Sequence, residues 1–130
     1  MKEFQNNAYF WQKIDTLCLS GDYIESYKAG DTHPIRSDLV YPLSYGYYKA
    51  CNNENEAEIG FHCFKGEHGY DPVGIVVSAD ILHKDIEAKL LIGVNDEEIE
   101  KVLLFLNQSS FQKTIYIGRG NDIPYWAQSE

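Results

Sequence analysis

Five short runs rich in β-branched and aromatic residues, at 22–28, 41–48, 58–64, 73–77 and 86–92, follow one another with glycine, proline, asparagine or aspartate between them. Runs of this length and composition read as strands, and the residues between them as turns and loops. Five strands with mostly short connections predict a barrel or a tightly curled sheet. A last strand is expected at 114–117, before a Gly118-Arg119-Gly120-Asn121 turn and an aromatic tail near Trp126.

Two helices flank this β-rich body. Phe4, Ala8, Trp11, Ile14, Leu17 and Cys18 keep the three-and-four spacing of one helical face, and Gly21 stops the segment. The second start is marked by Asn95 with Glu98 three positions on, a pair able to exchange hydrogen bonds as a capping box. Ile99, Val102, Leu103 and Leu106 then supply its buried stripe. With 130 residues, 44% apolar, the chain is one domain spanning 1–130, with no internal repeat and no linker.

Charge narrows the partners. Twenty Asp and Glu against eleven Lys and Arg leave a net charge of -9, which repels a phosphate backbone and argues against nucleic acid. The longest apolar runs, such as 102–106, are far short of the roughly 20 residues a bilayer crossing needs, so no membrane partner is expected. The amino terminus is polar where a secretory signal turns apolar, and Cys18, Cys51 and Cys63 are an odd number without paired spacing. A reduced, cytoplasmic location is the expectation.

Period-two geometry puts Asp85, Glu87 and Lys89 on one face of their strand, opposite Ile86, Ala88 and Leu90. Two acids and an ammonium in a row suit a divalent cation beside a phosphate; the plainer alternative is a solvated outer face. Tyr41, Tyr45, Tyr47 and Tyr48 offer hydroxyl donors to an anion or, more simply, packing surface with a wet tip. Gly46 among them marks a bulge or a close backbone approach. His33, His62, His68 and His83 lack zinc-site spacing, the Gly118-Arg119-Gly120 turn lacks the strand-to-helix setting of a phosphate loop, and no Ser, Cys or His sits in a recognisable nucleophile setting.

The segment Asp38-Leu39-Val40-Tyr41-Pro42-Leu43-Ser44-Tyr45-Gly46-Tyr47 resembles the soluble inorganic pyrophosphatases, in which a Tyr-Pro-x-x-Tyr-Gly-Tyr stretch walls the active site. His33-Pro34, Asp80 and the block 87–93 are similar to the short bacterial members. The resemblance implies an α+β, mainly β fold: a five-stranded OB-like barrel with flanking helices. It also implies Mg²⁺ held by carboxylates that activate water and clamp the diphosphate. By position it makes Tyr45, Asp80, Glu87 and Lys89 the catalytic set. Lys28, Tyr45, Tyr47 and Lys89 become the substrate-binding residues, and Asp80, Glu87 and Glu58 the metal ligands.

The same alignment shows losses. The family's Asp-Gly-x-x-x-Asp block falls on 55–60, where Asn55 and Gly60 replace the end aspartates; a two-residue shift would instead bring Glu58 onto the second. The Asp-Arg pair of the first strand falls on Glu25-Ser26, which removes a guanidinium. Neutral amides add no charge against the cost of dehydrating Mg²⁺. The expectation is a pyrophosphatase-like protein degenerate in catalysis, with weak Mg²⁺ binding. It would retain a phosphate-containing small molecule at the old site, or a protein partner. The alternative is an active Mg²⁺-dependent diphosphatase or related phosphohydrolase with a rearranged set from Glu54, Glu56, Glu58, Asp80, Asp85 and Glu87.

Overall fold

The computed structural model describes residues 5–50 and 58–123. The polar run 51–57 and the aromatic tail around Trp126 lie outside the described residues. In order, the elements are α1 (Ala8–Leu19), β1 (Gly21–Tyr27), β2 (Ser44–Ala50), β3 (Glu58–Lys65), β4 (Pro72–Asp80), β5 (Asp85–Ile92), α2 (Asp96–Leu106) and β6 (Gln112–Gly118).

Both helices begin where side chains satisfy their free amides. The Asn7 carboxamide accepts from the amides of Tyr9 and Phe10 at 2.9 and 3.2 Å, so α1 starts at Ala8; Phe4 lies outside the described residues. At α2 the capping box forms in both directions, with Glu98 N donating to Asn95 at 2.9 Å and Asn95 N to Glu98 at 3.0 Å. The buried Glu98 carboxylate also accepts from the amide of Glu67 at 3.3 Å, tying the helix start to the loop after β3.

The strands form one mixed sheet in the order β1-β2-β3-β5-β4-β6. Every pairing is antiparallel except β3 with β5, where Cys63 sits beside Leu90 and Phe64 beside Leu91. Alternation along this central pair sends apolar groups both ways. Phe64 and Leu91 join Tyr41, Val76, Val102 and Leu106 under α2, whereas Cys63, Leu90 and Ile92 join Tyr48 and the fully buried Trp11 of α1.

This double-faced centre corrects the expected five-stranded OB-like barrel. A barrel encloses one face, but here each face needs its own cover, and one helix lies on each. The sheet has six strands and stays open: β6 pairs with β4, at the opposite end of the order from β1. The outer edge of β6 is blunted by the Asn107 side chain, which accepts from Thr114 N at 2.8 Å and donates to Thr114 O at 3.2 Å.

Distant polar contacts anchor α1. Arg119 makes two bonds to the Asp15 carboxylate, at 2.8 and 2.7 Å, donates to Pro72 O at 3.1 Å, and sits over the Trp11 ring. The Asn6 side chain bridges the Trp11 indole, Gly118 O and Gly120 N. What reads locally as a plain glycine turn is the tether of a helix about a hundred residues away.

Gly46 shows why a glycine interrupts the tyrosine run. Between Glu25 and Tyr27 the β1–β2 register slips by one residue, leaving Ser26 as a bulge, and a methyl on Gly46 would collide with the Ile24 carbonyl oxygen. Gly46→Ala is therefore expected to destabilise the fold by about 1–3 kcal/mol, the range for forced overpacking. Urea unfolding checks this; an unchanged midpoint would mean that β1 separates from β2 at no cost.

Candidate functional site

The α2 side of the sheet carries a cleft of about 600 Å³, bounded by the 31–43 segment, the end of α2 and the connection from α2 to β6. Its floor comes from three neighbouring strands. Antiparallel β2–β3 pairing sets Tyr45 beside Phe64, and the parallel β3–β5 step, with Cys63 beside Leu90, puts Lys89 on the same side of the sheet as His62 and Tyr45. Tyr41, Phe105 and Phe111 give it aromatic walls, with His33 and Arg36 at the lip.

The rings are mutually supported. Tyr27, Tyr41 and Tyr45 stack in sequence with centroids 4.7 and 5.5 Å apart, and Tyr45 stacks on His62 at 5.8 Å. Burial, followed by the negative charge of Glu87, pushes the Tyr45 hydroxyl well above its ordinary value, so it stays protonated and able to donate. Burial and the Lys89 charge lower His62 against an opposing pull from Glu87, which favours the neutral ring.

Lys89 is the cleft's central charge. Its side chain is only 13% exposed, and its ammonium meets the Glu87 carboxylate at 3.1 Å, while Glu87 itself is 58% exposed. The Lys89 side chain is thus mostly covered, whereas its bond to Glu87 is exposed and Glu87 is largely solvated.

At the far end Asp80 shapes the β4–β5 turn. One carboxylate oxygen accepts the amides of Leu82 and His83, each at 2.8 Å, and the other meets His83 Nδ1 at 2.8 Å. Burial raises the Asp80 carboxyl, but the His83 and Leu82 amides and the His83 ring outweigh it and hold the group below its ordinary value. The Asp80 hydrogen bond and charge in turn raise His83.

Of the expected catalytic residues, Tyr45, Asp80 and Lys89 line this cleft; Glu87 is not among its lining residues and bonds Lys89 at 3.1 Å. Two of the expected substrate-binding residues do not line the cleft. Lys28 stands outside the cleft because β1 ends at Tyr27 and the chain turns away, its amide bonding the Asp31 carboxylate at 2.8 Å. Tyr47 shares the face of Tyr45 one pleat further along and meets His62 edge-on instead. The metal set is not assembled among the described residues: Asp80 is occupied by its own turn, Glu87 by Lys89, and no three His, Cys, Asp or Glu groups converge. The side chain of Glu58 and residues Glu54, Asn55 and Glu56 lie outside the described residues. Glu25 accepts from Ser44 at 2.6 Å, away from the cleft.

Sequence reasoning passed over His83, whose signal is an aspartate three residues earlier at the start of a tight turn. It also passed over Phe105 and Phe111, which only the fold brings to the cleft. A second hollow, of about 750 Å³, lies between α1 and the Tyr23–Tyr48 side, but its Arg119 and Asp15 are committed to each other.

Asp80 and His83 should mark the pH profile of stability. A lowered carboxyl contributes above its unfolded value of 3.8 and loses that contribution as pH falls through the folded one. A raised imidazole contributes below its unfolded value of 6.5 and loses it as pH rises through the folded one. Their coupling, measured by an Asp80→Asn/His83→Gln double-mutant cycle, is expected to be greatest between those two values and to shrink on the alkaline side. A coupling that grows with alkalinity would contradict the assignment.

Among the described residues no helix is long and apolar enough to cross a membrane. No protein-family model, no curated protein and no solved structure matches the chain, so its functional reading rests on the chemistry of the cleft itself.

Proposed function

We propose that the cleft holds a small phosphate-containing molecule, and that the protein acts by binding it, with little or no hydrolysis. The observation that carries this reading is the mostly covered Lys89 side chain, which lines the cleft together with Tyr45 and is opposed by one mostly solvated carboxylate. A cation whose partner carboxylate is mostly solvated stays open to a competing anion, and a phosphate oxygen accepts from both an ammonium and a phenol. The aromatic walls exclude water, which strengthens such bonds. The likeness to the pyrophosphatase tyrosine segment adds support, since Tyr41 and Tyr45 from that segment both border the cleft.

Binding is preferred over turnover because diphosphate hydrolysis of the pyrophosphatase kind relies on several carboxylates converging on metal ions. Here Gly60 and Ser26 stand at positions where that family has an acid and a guanidinium. Asp80 and Glu87 are spent on neighbouring donors. A Mg²⁺-dependent phosphohydrolase is the competing reading, and Glu87 separates the two by sign.

Pyrophosphate titrated calorimetrically is the first probe. Removing the ammonium in Lys89→Met should weaken binding about 10- to 100-fold, the loss of one charge-assisted bond. Glu87→Gln should tighten it, because a competing negative charge is gone. If Glu87 were a metal ligand, the same change would weaken Mg²⁺-dependent binding. Phosphate release with Mg²⁺ or Mn²⁺ is expected to stay near background; robust turnover abolished by Asp80→Ala or Glu87→Ala would overturn the binding reading.

A further inference from the structure

The cleft is larger than a diphosphate requires. Its volume of about 600 Å³ falls within the roughly 300–1,000 Å³ of small-molecule sites, which are mostly apolar with a few placed polar groups. The row that β5 presents under α2 shows which way an occupant must extend. It reads Asp85, Glu87, Lys89 and Leu91, so acids stand on one side of the ammonium and the core on the other.

On the core side lies a wall of four rings, each lining the cleft. Tyr41 meets Tyr45 at 5.5 Å between centroids, Tyr45 meets Phe64 at 4.8 Å, Phe64 meets Phe105 at 6.2 Å, and Phe105 returns to Tyr41 at 5.3 Å. These contacts close on themselves, so the wall is preformed. Tyr41 and Phe64 are buried, whereas the half-buried Tyr45 and Phe105 keep ring surface open. Elsewhere in the cleft Arg36 is paired with Asp38 at 3.1 Å and Asp80 with His83 at 2.8 Å.

Resting on the phosphate reading of Lys89, we propose that the ligand is a phosphate monoester of an aromatic group. The phosphate meets Lys89, and the ester's ring lies on Tyr45 and Phe105, away from Glu87 and Asp85. An aromatic guest gains on such a wall beyond its buried area, because the edge of one ring and the face of another carry opposite partial charge. A second phosphate would stand either against the rings or beside the acids, so the site takes one anionic group.

The test compares phenyl, cyclohexyl and methyl phosphate by calorimetry near pH 8, where all three are dianions because the second ionisation of such esters lies near ~6. Phenyl phosphate is expected to bind about 10- to 100-fold more tightly than methyl phosphate, as burial of one ring would give. Its advantage over cyclohexyl phosphate should be roughly three- to tenfold. Phe105→Leu should bring that phenyl-to-cyclohexyl ratio close to one, with thermal melting confirming the fold. Intermolecular nuclear Overhauser contacts from the phenyl protons to Tyr45 and Phe105 are expected in the native protein, with no substitution needed. Equal binding of phenyl and cyclohexyl phosphate overturns the aromatic specificity. Contacts to Phe111 in place of Phe105, or a ratio that survives in Phe105→Leu, overturn the assignment to this wall. If pyrophosphate binds in a Lys89-dependent way while phenyl and methyl phosphate bind equally, the inference fails alone. Failure of every phosphate probe to bind, or phenyl phosphate binding unaltered in Lys89→Met, overturns the Lys89 reading and the inference with it.

Discussion

The parallel contact between β3 and β5 is the constraint from which the rest of the structure follows. At this junction adjacent residues turn to opposite faces, Phe64 and Leu91 to one and Cys63 and Leu90 to the other, and all four are buried. A sheet apolar on both faces at its centre has to be covered twice, and the chain supplies α1 on one side and α2 on the other. In the open, six-stranded form each of these faces is buried under its own helix.

The same junction creates the cleft. Strands β2 and β3 come from one hairpin and β5 from another, and only their parallel adjacency brings the tyrosine segment to Lys89. On the α2 face the cover is incomplete beyond Leu106, and that gap is the cleft. On the opposite face the corresponding charge, Arg119, is matched by two bonds to Asp15 and so serves to hold α1 in place. Two cations, each beside one carboxylate, thereby have different uses. Arg119 and Asp15 are similarly enclosed and bonded at two points, whereas Lys89 is enclosed and its partner Glu87 is not.

Much of the fold was legible where local chemistry decides it. The Asn95–Glu98 capping box, the buried stripe from Ile99 to Leu106 and the close approach at Gly46 all depend on residues a few positions apart or on the strand that packs against them. Tyr45, Asp80, Glu87 and Lys89 were placed together by resemblance to a family motif; Tyr45, Asp80 and Lys89 border one cleft and Glu87 is not among its lining residues. Reading failed where the deciding partner is remote. Barrel closure depends on which strand β6 chooses, the role of Arg119 on a helix some hundred residues earlier, and the exclusion of Lys28 on the turn after Tyr27, where its amide bonds Asp31. His83 was missed for a different reason. Its spacing was weighed for metals and not for the turn that Asp80 builds.

The proposed function requires that an anion seat on the β2–β3–β5 floor. Chemical-shift mapping of the isotopically labelled protein with pyrophosphate tests this most directly. Saturable shifts at Lys89, Tyr45 and His62, with Arg119 and Trp11 silent, are the predicted result. Shifts confined to the Arg119–Trp11 side, or none at Lys89, would contradict it.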